Sequence, residues 1–478
     1  MASDIPSVGA NRPAPDKFSL LGKLAFGAGD IGPGMTANLL AFSFLIFLTT
    51  AAGLSPVAAG SVLAIGRIWD AVNDPFIGYL SDKTRTRWGR RYPWMVLGAV
   101  PFGLSFFLMW VVPGWESETA RFGYYVVVSL LFQMFYTVIN LPYATLTAEL
   151  TKDYDERTEL TAFRLASSLF GAIFALALGL VISQTVGDLR QQYLLLGGIC
   201  AVLAVIPLLL CVWGTYPYAA QRGALQPAAT DEDDGLSFIG QIKIVFANRA
   251  FLFVVGIYLF AWLALQMTAS IIPFYATFVM GMDSYFLAAL LVQGTAILMM
   301  VIVNHLSRRL GKQEVFYIGI GTWIIAQIGL FFIGPGQVGF LYLLCVVISF
   351  GVATAYVVPW AMLPDVIELD EIKTGQRREG VFYAFMTLLQ KVGLALGLFL
   401  VSLALQFSGF ISEEMVQPDS ALLAIRIFIG PVPMVLLALS MLLARFYPIT
   451  REMHEEMLLQ LAERDRNQAQ NDTDNSGV

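Results

Sequence analysis

Charged residues are scarce in this sequence, and their scarcity argues against a soluble protein. Only 13% of the 478 residues are Asp, Glu, Lys or Arg, whereas 57% are hydrophobic and the mean hydropathy is +0.69. A soluble domain of this length needs far more polar surface. The chain is therefore predicted to be an integral membrane protein that crosses the bilayer many times.

Cysteine is also rare, and motifs of enzyme chemistry are missing. Cys200, Cys211 and Cys345 all fall in apolar runs without CxxC or histidine-rich spacing, so they are predicted to be small core residues. The sequence has no nucleophile paired with a base and no phosphate-binding glycine loop ending in GKS or GKT. An ATP-driven pump and a membrane enzyme are thus disfavoured, and neither a cofactor nor a nucleic-acid partner is expected.

Twelve apolar stretches are long enough to cross a bilayer as helices, at about 20 residues each. They lie near residues 21–50, 55–81, 92–113, 122–147, 160–185, 192–216, 246–278, 283–305, 313–334, 337–364, 380–407 and 420–447. A polar linker at 217–245 predicts two six-helix halves, 21–216 and 246–447, between polar tails at 1–20 and 448–478. Most of the 29 lysines and arginines fall in the tails and in loops after even-numbered helices, so both termini are predicted to be cytoplasmic.

The second apolar stretch carries an unusual polar set, Arg67, Asp70, Asn73 and Asp74. Spacings of three and four residues place these side chains on one face of a helix. Two carboxylates held together at membrane depth repel each other and need a cation or a proton between them. We interpret Asp70, Asn73 and Asp74 as a site for an alkali cation or a proton that drives transport. The alternative is a structural network in which Arg67 neutralises one carboxylate.

Helices 4 and 11 supply candidate partners for this site. Thr137, beside Tyr136 and one turn before Asn140, offers a hydroxyl oxygen, which is a ligand that suits a hard cation. Lys391 lies deep within helix 11 and needs an acidic partner, so it is predicted to pair with the helix 2 acids when the cation is absent. Such a lysine would couple cation binding to movement of the halves, and Arg67 is the second candidate coupling residue. The alternative for Lys391 is a static ion pair. Sodium, lithium and a proton all remain open.

A charged cluster follows helix 2, and its candidate gating residues are Asp82, Arg85, Arg90 and Arg91. Carboxylate and guanidinium groups at helix ends can hold neighbouring helices in one conformation and release them in another. Acidic partners are available after helix 4, at 151–157, and after helix 10, at 365–370. The alternative is a solvated cluster that merely follows the positive-inside rule.

Residues 67–94, RIWDAVNDPFIGYLSDKTRTRWGRRYPW, closely resemble the signature of the glycoside-pentoside-hexuronide:cation symporters. This family is the branch of the major facilitator superfamily that includes melibiose permease. The resemblance implies a twelve-helix major facilitator fold, alternating access and cation-coupled uptake of a sugar or glycoside. It also implies that Asp70, Asn73, Asp74 and Thr137 bind the cation, with Lys391 beside them.

The same resemblance implies a substrate site, in which Arg164 of helix 5 helps to bind a sugar. The candidate substrate-binding residues are Arg164, Tyr136, Asn140, Thr387, Gly34 and Ala144. At Gly34, Asn140 and Ala144 the chain departs from melibiose permease, which has two aspartates and a sugar-stacking tryptophan at these places. These departures argue against a galactoside as the substrate.

Two shorter motifs are similar to the vertebrate sodium-coupled lysolipid symporters: Leu141-Pro142-Tyr143 with Thr147, and MLPDVI at 362–367. The sequence therefore predicts sodium- or proton-coupled symport of a small molecule. A sugar or glycoside is the default substrate, and a lysolipid or other amphipathic solute is the alternative. A ligand sensor that does not transport is a hypothesis of another class. We expect a monomer in the inner membrane of a bacterium.

Overall fold

The computed structural model of the protein describes residues 17–222, 238–374, 376, 378–449, 452–454, 456–461 and 463. Twelve long helical segments, α1 to α12, follow one another through these ranges. They are Leu20–Thr50, Pro56–Lys83, Tyr92–Met109, Glu118–Leu150, Tyr154–Thr185, Leu189–Gln221, Arg249–Val279, Phe286–Leu310, Lys312–Phe332, Val338–Thr374, Glu379–Phe407 and Asp419–Arg445. The predicted all-helical membrane architecture is confirmed.

The segment α2 differs from the others in composition. The other eleven are long and apolar enough to cross a membrane, whereas charged residues interrupt the apolar pattern of α2. It nevertheless remains helical for 28 residues. Asp70 and Asn73 are buried against neighbouring helices, which is where a polar group within a membrane-spanning segment finds partners. The stability of α2 within the bundle therefore depends on the partners that neighbouring helices supply to its polar face.

The helix pairs of the first six segments recur in the last six. Contacts of α1 with α5 and α6, of α2 with α4, and of α3 with α4 are matched by contacts of α7 with α11 and α12, of α8 with α10, and of α9 with α10. Between the halves, α2 packs on α11 and α5 packs on α8, which is again a matched pair. This repetition is typical of a transporter built from two parallel repeats around a central site.

The predicted linker and the predicted C-terminal tail both contain helical residues. The predicted linker at 217–245 is helical at both ends, because α6 continues to Gln221 and a short helix, Phe238–Ala247, leads into α7. The predicted tail at 448–478 contains helical residues at 452–454 and 456–461, where Met453 and Met457 pack against the hydrophobic core. The remaining linker residues and most of both tails lie outside the described residues.

Because the segments alternate in direction, α1 begins and α12 ends at the same face of the bundle, here called the terminal face. At the opposite face the two halves are joined by hydrogen bonds that we call the opposite-face lock. Its pairs are Arg190 with Glu413, Ser412 with the Leu54 carbonyl, Ser183 with Ser284, and Tyr193 with Tyr285. These bonds hold the halves together on that face.

Arg190 ties the lock to the turn between α1 and α2. Its Nη2 lies 2.8 Å from Glu413 Oε1, and its Nε donates to the Ala51 carbonyl at 3.0 Å. Gly53 in this turn has a φ of 66°, and a Cβ there would lie 2.7 Å from Arg121 Nη1 and 2.8 Å from the Glu413 carboxyl carbon. Glycine is therefore required both by the left-handed backbone and by the close approach of the loop from the other half.

Replacing Glu413 with Gln is expected to loosen the opposite-face lock. The Arg190–Glu413 pair is half-exposed, and such a pair contributes up to about 1 kcal/mol, which corresponds to roughly a fivefold shift in a two-state equilibrium. The labelling rate of a cysteine placed at Met282, a half-buried residue of the same face outside the lock, should rise by up to about that factor. The matched control is Glu414→Gln, since Glu414 is an exposed neighbour without an ion pair among the described residues. Equal labelling in both variants would show that the ion pair does not hold the lock closed.

Candidate functional site

The polar face of α2 projects into the packed middle of the bundle. Asp70 and Asn73 are 3% and 4% exposed, while Asp74 is more open, with 36% of its side chain exposed. The spacing of the three residues on one helix brings them to one face, as predicted from the sequence. The Asn73 Nδ2 atom is buried without a hydrogen-bond partner. This cluster therefore combines two acids, one of them accessible, with an unsatisfied amide.

Thr137 on α4 bridges the two carboxylates. Its Oγ1 lies 3.0 Å from Asp74 Oδ1 and 3.3 Å from Asp70 Oδ1. The hydroxyl hydrogen can be donated to only one carboxylate at a time, and the hydroxyl lone pairs stay available to a cation. The packing of α2 on α4 thus assembles three oxygen-bearing side chains within one half of the protein.

Lys391 reaches the same two acids from α11 in the other half. Its Nζ lies 2.9 Å from Asp70 Oδ2 and 2.5 Å from Asp74 Oδ2. Two carboxylates against one ammonium leave a formal charge of −1, so the cluster can accept one further monovalent cation or a proton. Since α2 and α11 belong to different halves, this ion pair connects the charge of the site to the contact between them.

Arg67 does not take the role proposed in the alternative network. In the part of the chain that the structure describes, the ion pairs of Asp70 and Asp74 are made with Lys391 and none includes Arg67. The sequence spacing placed Arg67 one turn from Asp70, but the side chain instead lines a cavity between the halves. The correction follows from tertiary packing, because α11 delivers a competing cation that local spacing cannot show.

Arg164 on α5 has a counterion that the sequence reasoning missed. Its Nε lies 3.2 Å from Oδ2 of Asp30, a buried residue at the break within α1, and its guanidinium lies 5.1 Å from the centre of the Tyr143 ring. A buried cation requires such a partner. The available signal was Asp30 itself, the one acid in a glycine-rich apolar helix.

The central cavity has a volume of about 540 Å³ and lies between the halves. Of the predicted substrate residues, Gly34 lines it, whereas Arg164, Tyr136, Asn140, Ala144 and Thr387 are not part of this lining. Arg67, a predicted coupling residue, also lines it. Its polar lining residues are Asn38, Arg67, Ser168, Gln266, Thr268, Gln293 and Gln390; its aromatic ones are Phe42, Trp262, Trp323 and Tyr356. Most of the remaining lining is aliphatic, and none of the described residues that line the cavity has a carboxylate.

Local contacts account for the residues found at two of the predicted substrate positions, Gly34 and Thr387. A Cβ at Gly34 would lie 2.3 Å from the backbone carbonyl oxygen of Ser168, so the contact of α1 with α5 leaves no room for an acidic side chain there. Thr387 is exposed, and its hydroxyl donates to the Tyr383 carbonyl at 3.0 Å. Its hydrogen bond within α11 is the ordinary one for a helical threonine.

The predicted gating cluster is assembled around Arg91. Its Nη2 lies 2.5 Å from Asp82 Oδ1 and its Nε lies 2.8 Å from Glu149 Oε1, while Arg90 Nε contacts the same Glu149 oxygen at 2.7 Å. Arg91 is 5% exposed, whereas Arg85 is exposed. The cluster therefore ties the terminal-face end of α2 to that of α4.

The acidic partner differs from the one predicted. Glu149, which lies within α4, binds Arg90 and Arg91, whereas Glu156 from the predicted run at 151–157 pairs with Arg222 at 2.6 Å. In the second half, Lys312 Nζ contacts both Asp365 oxygens at 2.7 Å. Both arrangements join helices within one half, at matching places of the repeat.

Comparison with known proteins identifies the family. Residues 25–451 match the model described as MFS/sugar transport protein. An uncharacterized symporter of Synechocystis is 41% identical, covering 95% of this chain and 98% of that protein. The sodium-dependent lysophosphatidylcholine symporter 1 of Gallus gallus is 26% identical, covering 93% of this chain and 89% of that protein.

Solved structures agree on the fold. The nucleoside transporter NupG superposes with a TM-score of 0.61 at 14% identity, covering 90% of this chain and 98% of that chain. The inward-open xylose transporter XylE of E. coli gives a TM-score of 0.56 at 15% identity, covering 92% and 97%. These relatives are transporters rather than enzymes, and the predicted major facilitator fold is confirmed. The chain belongs to the MFS/sugar transport protein family of the major facilitator superfamily.

Proposed function

We propose that this protein is a sodium-coupled symporter of the melibiose permease-like branch and that Asp70, Asn73, Asp74 and Thr137 form its cation site. The observation that carries the proposal is the contact of Lys391 with both carboxylates from the other half. The lysine is a substitute cation: it neutralises part of the site when sodium is absent and must give way when sodium enters.

This competition supplies a coupling mechanism. Sodium bound between Asp70 and Asp74 weakens the attraction that holds Lys391, and so changes the energy of the contact between α2 and α11. A ligand can shift a conformational equilibrium only by the difference in its affinity for the two states. Here that difference arises because Lys391 belongs to the half that moves relative to the site.

The donor set favours sodium over a proton. A proton could be held by the two carboxylates alone, whereas the Thr137 hydroxyl and the Asn73 side chain add neutral oxygen ligands of the kind that hard cations prefer. The sodium dependence in the names of the lysophosphatidylcholine symporters agrees with this choice.

We propose an amphipathic solute of the lysolipid type as the substrate. The cavity has mostly apolar walls and one charged side chain, Arg67, which suits a molecule with a long apolar part and a small polar or anionic group. A sugar or glycoside is the second candidate. It is favoured by Trp262 and Tyr356, aromatic residues of the lining that could stack on a sugar ring, and by Gln266 and Gln293, whose amides can bind hydroxyls.

Uptake by proteoliposomes with and without a sodium gradient tests these functions. Sodium-stimulated accumulation of a radiolabelled lysolipid supports the first substrate, and accumulation of a sugar with no lysolipid uptake supports the second. Binding of a ligand without accumulation supports a sensor and contradicts symport. Stimulation by a proton gradient alone contradicts sodium as the coupling cation.

We further propose that the terminal face is cytoplasmic in the inner membrane of a bacterium and that the protein acts as a monomer. The excess of Lys and Arg in the tails and in the loops at that face supports this orientation. With the opposite-face lock closed, the site would then exchange with the cytoplasm. Labelling of Glu413→Cys and Lys373→Cys in intact cells by an impermeant maleimide tests the orientation, with only the first expected to react.

A further inference from the structure

The described residues of the C-terminal segment, 447–449, 452–454 and 456–461, fold back onto the terminal-face end of α10. Tyr447 and Ile449 are buried, and Met457 is 4% exposed, so apolar contacts bring the segment against the bundle. This docking places His454 beside two acids of α10. Its Nε2 lies 3.1 Å from Glu368 Oε2 and 3.4 Å from Asp365 Oδ1.

The charge balance of this cluster depends on the His454 proton. Lys312 contacts both oxygens of Asp365, so that pair is neutral, and Glu368 adds one negative charge. Glu368 Oε2 is buried without a hydrogen-bond partner, although it faces His454 Nε2. A neutral imidazole with its lone pair on Nε2 would present two acceptors to each other, whereas a proton on Nε2 makes a charge-assisted hydrogen bond.

Among the described residues, the groups that face His454 are Asp365 and Glu368 on α10, with Lys312 of α9 and Tyr447 behind them. Burial, together with the charges of Asp365 and Glu368, raises the pKa of Tyr447 above its usual value, so the phenol stays neutral. Histidine is the side chain whose charge ordinarily changes between about pH 5 and 8, and His454 is the histidine that meets the two acids.

We propose that His454 is a proton-controlled clasp that docks the C-terminal segment onto α10. When His454 is protonated the cluster is neutral and the segment is held. When the proton is lost, the cluster keeps a charge of −1, Glu368 loses its partner and the segment is released. The clasp is closed at low pH and opens as the pH rises. It lies apart from the cation site and does not depend on the proposed substrate.

Spin labels at Leu459→Cys and Lys373→Cys in the full-length protein test the clasp. Both positions are exposed, and the three native cysteines are buried. Distances between the labels are measured at about pH 5.5 and about pH 8.5, in a buffer whose chelator removes trace metal ions. We expect the ratio of docked to released protein to fall by roughly tenfold over this range, because the charge-assisted hydrogen bond to Glu368 is lost with the proton.

Two substitutions make the test decisive. His454→Arg carries a permanent charge and should show the wild-type ratio of low pH at both pH values, whereas His454→Gln should show the lower, high-pH ratio at both. Label distances in the unsubstituted histidine protein that do not change with pH would overturn the proposal. A pH dependence that persists in His454→Gln would also overturn it, because the proton would then be bound elsewhere.

Discussion

Asp74→Asn is expected to abolish sodium-stimulated uptake and to weaken sodium binding by about 100-fold. The substitution preserves shape but removes one negative charge, so Asp70 and Lys391 become a neutral pair that no longer attracts a cation. Loss of a charged interaction of about 3 kcal/mol corresponds to roughly this factor. Asp74 is the better target than Asp70, because it is the more exposed acid and its removal leaves the buried pair intact.

Sodium-dependent thermal stabilisation of the purified protein measures this change independently of transport. The wild type should be stabilised by sodium, and the Asp74→Asn variant should respond only at concentrations about 100-fold higher. Asp283→Asn is the matched control, since Asp283 is an exposed acid near the opposite-face end of α8. An unchanged sodium response in the Asp74→Asn protein would remove this residue from the cation site.

Lys391→Ala is expected to separate exchange from net uptake. Net uptake requires the carrier to return empty, and the empty site of this variant would hold two adjacent carboxylates with no ammonium between them. Removing one partner from a buried ion pair leaves an uncompensated charge of high cost. We therefore expect net uptake to fall by more than about tenfold, while substrate exchange at saturating sodium continues, because the loaded carrier no longer needs Lys391.

Exchange and net uptake are measured in the same proteoliposomes, with sodium and substrate on both sides or on one side only. Lys152→Ala is the matched control, because Lys152 is exposed and distant in sequence from the acids of α2. If exchange and net uptake fall together in a protein that inserts normally, Lys391 acts as a static link between the halves. The same variant should also bind sodium at least as tightly as the wild type, because no ammonium competes for the site.

The cation site and the gating cluster of the first half show how much of a charged site can be predicted from spacing along one helix. Helical spacing correctly placed Asp70, Asn73 and Asp74 on one face, because three- and four-residue intervals are a local property of the helix. It wrongly offered Arg67 as the partner in the alternative network. Spacing gives proximity along one helix, whereas the ion pair formed depends on which side chain another helix delivers.

The gating cluster illustrates the same limit. Asp82, Arg90 and Arg91 were identified from their charge at a helix end, and the structure joins them in one network. Glu149 was missed because it lies just inside the apolar segment of α4, ahead of the acidic run that was considered. Asp30 was likewise missed as a partner, because its pairing with Arg164 depends on the packing of α1 on α5.

By itself the sequence determined the membrane location, the twelve segments and the polar face of α2, because bilayer thickness and helical periodicity are read directly from the order of residues. Only the tertiary structure decided that Lys391, which the sequence already offered as a partner, contacts both acids while Arg67 does not. It also decided that the backbone of α5 fills the space beside Gly34 and that His454 meets α10. These contacts join residues more than a hundred positions apart, or chain ends folded back on the bundle. Their pairing is set by how the helices of the two halves pack.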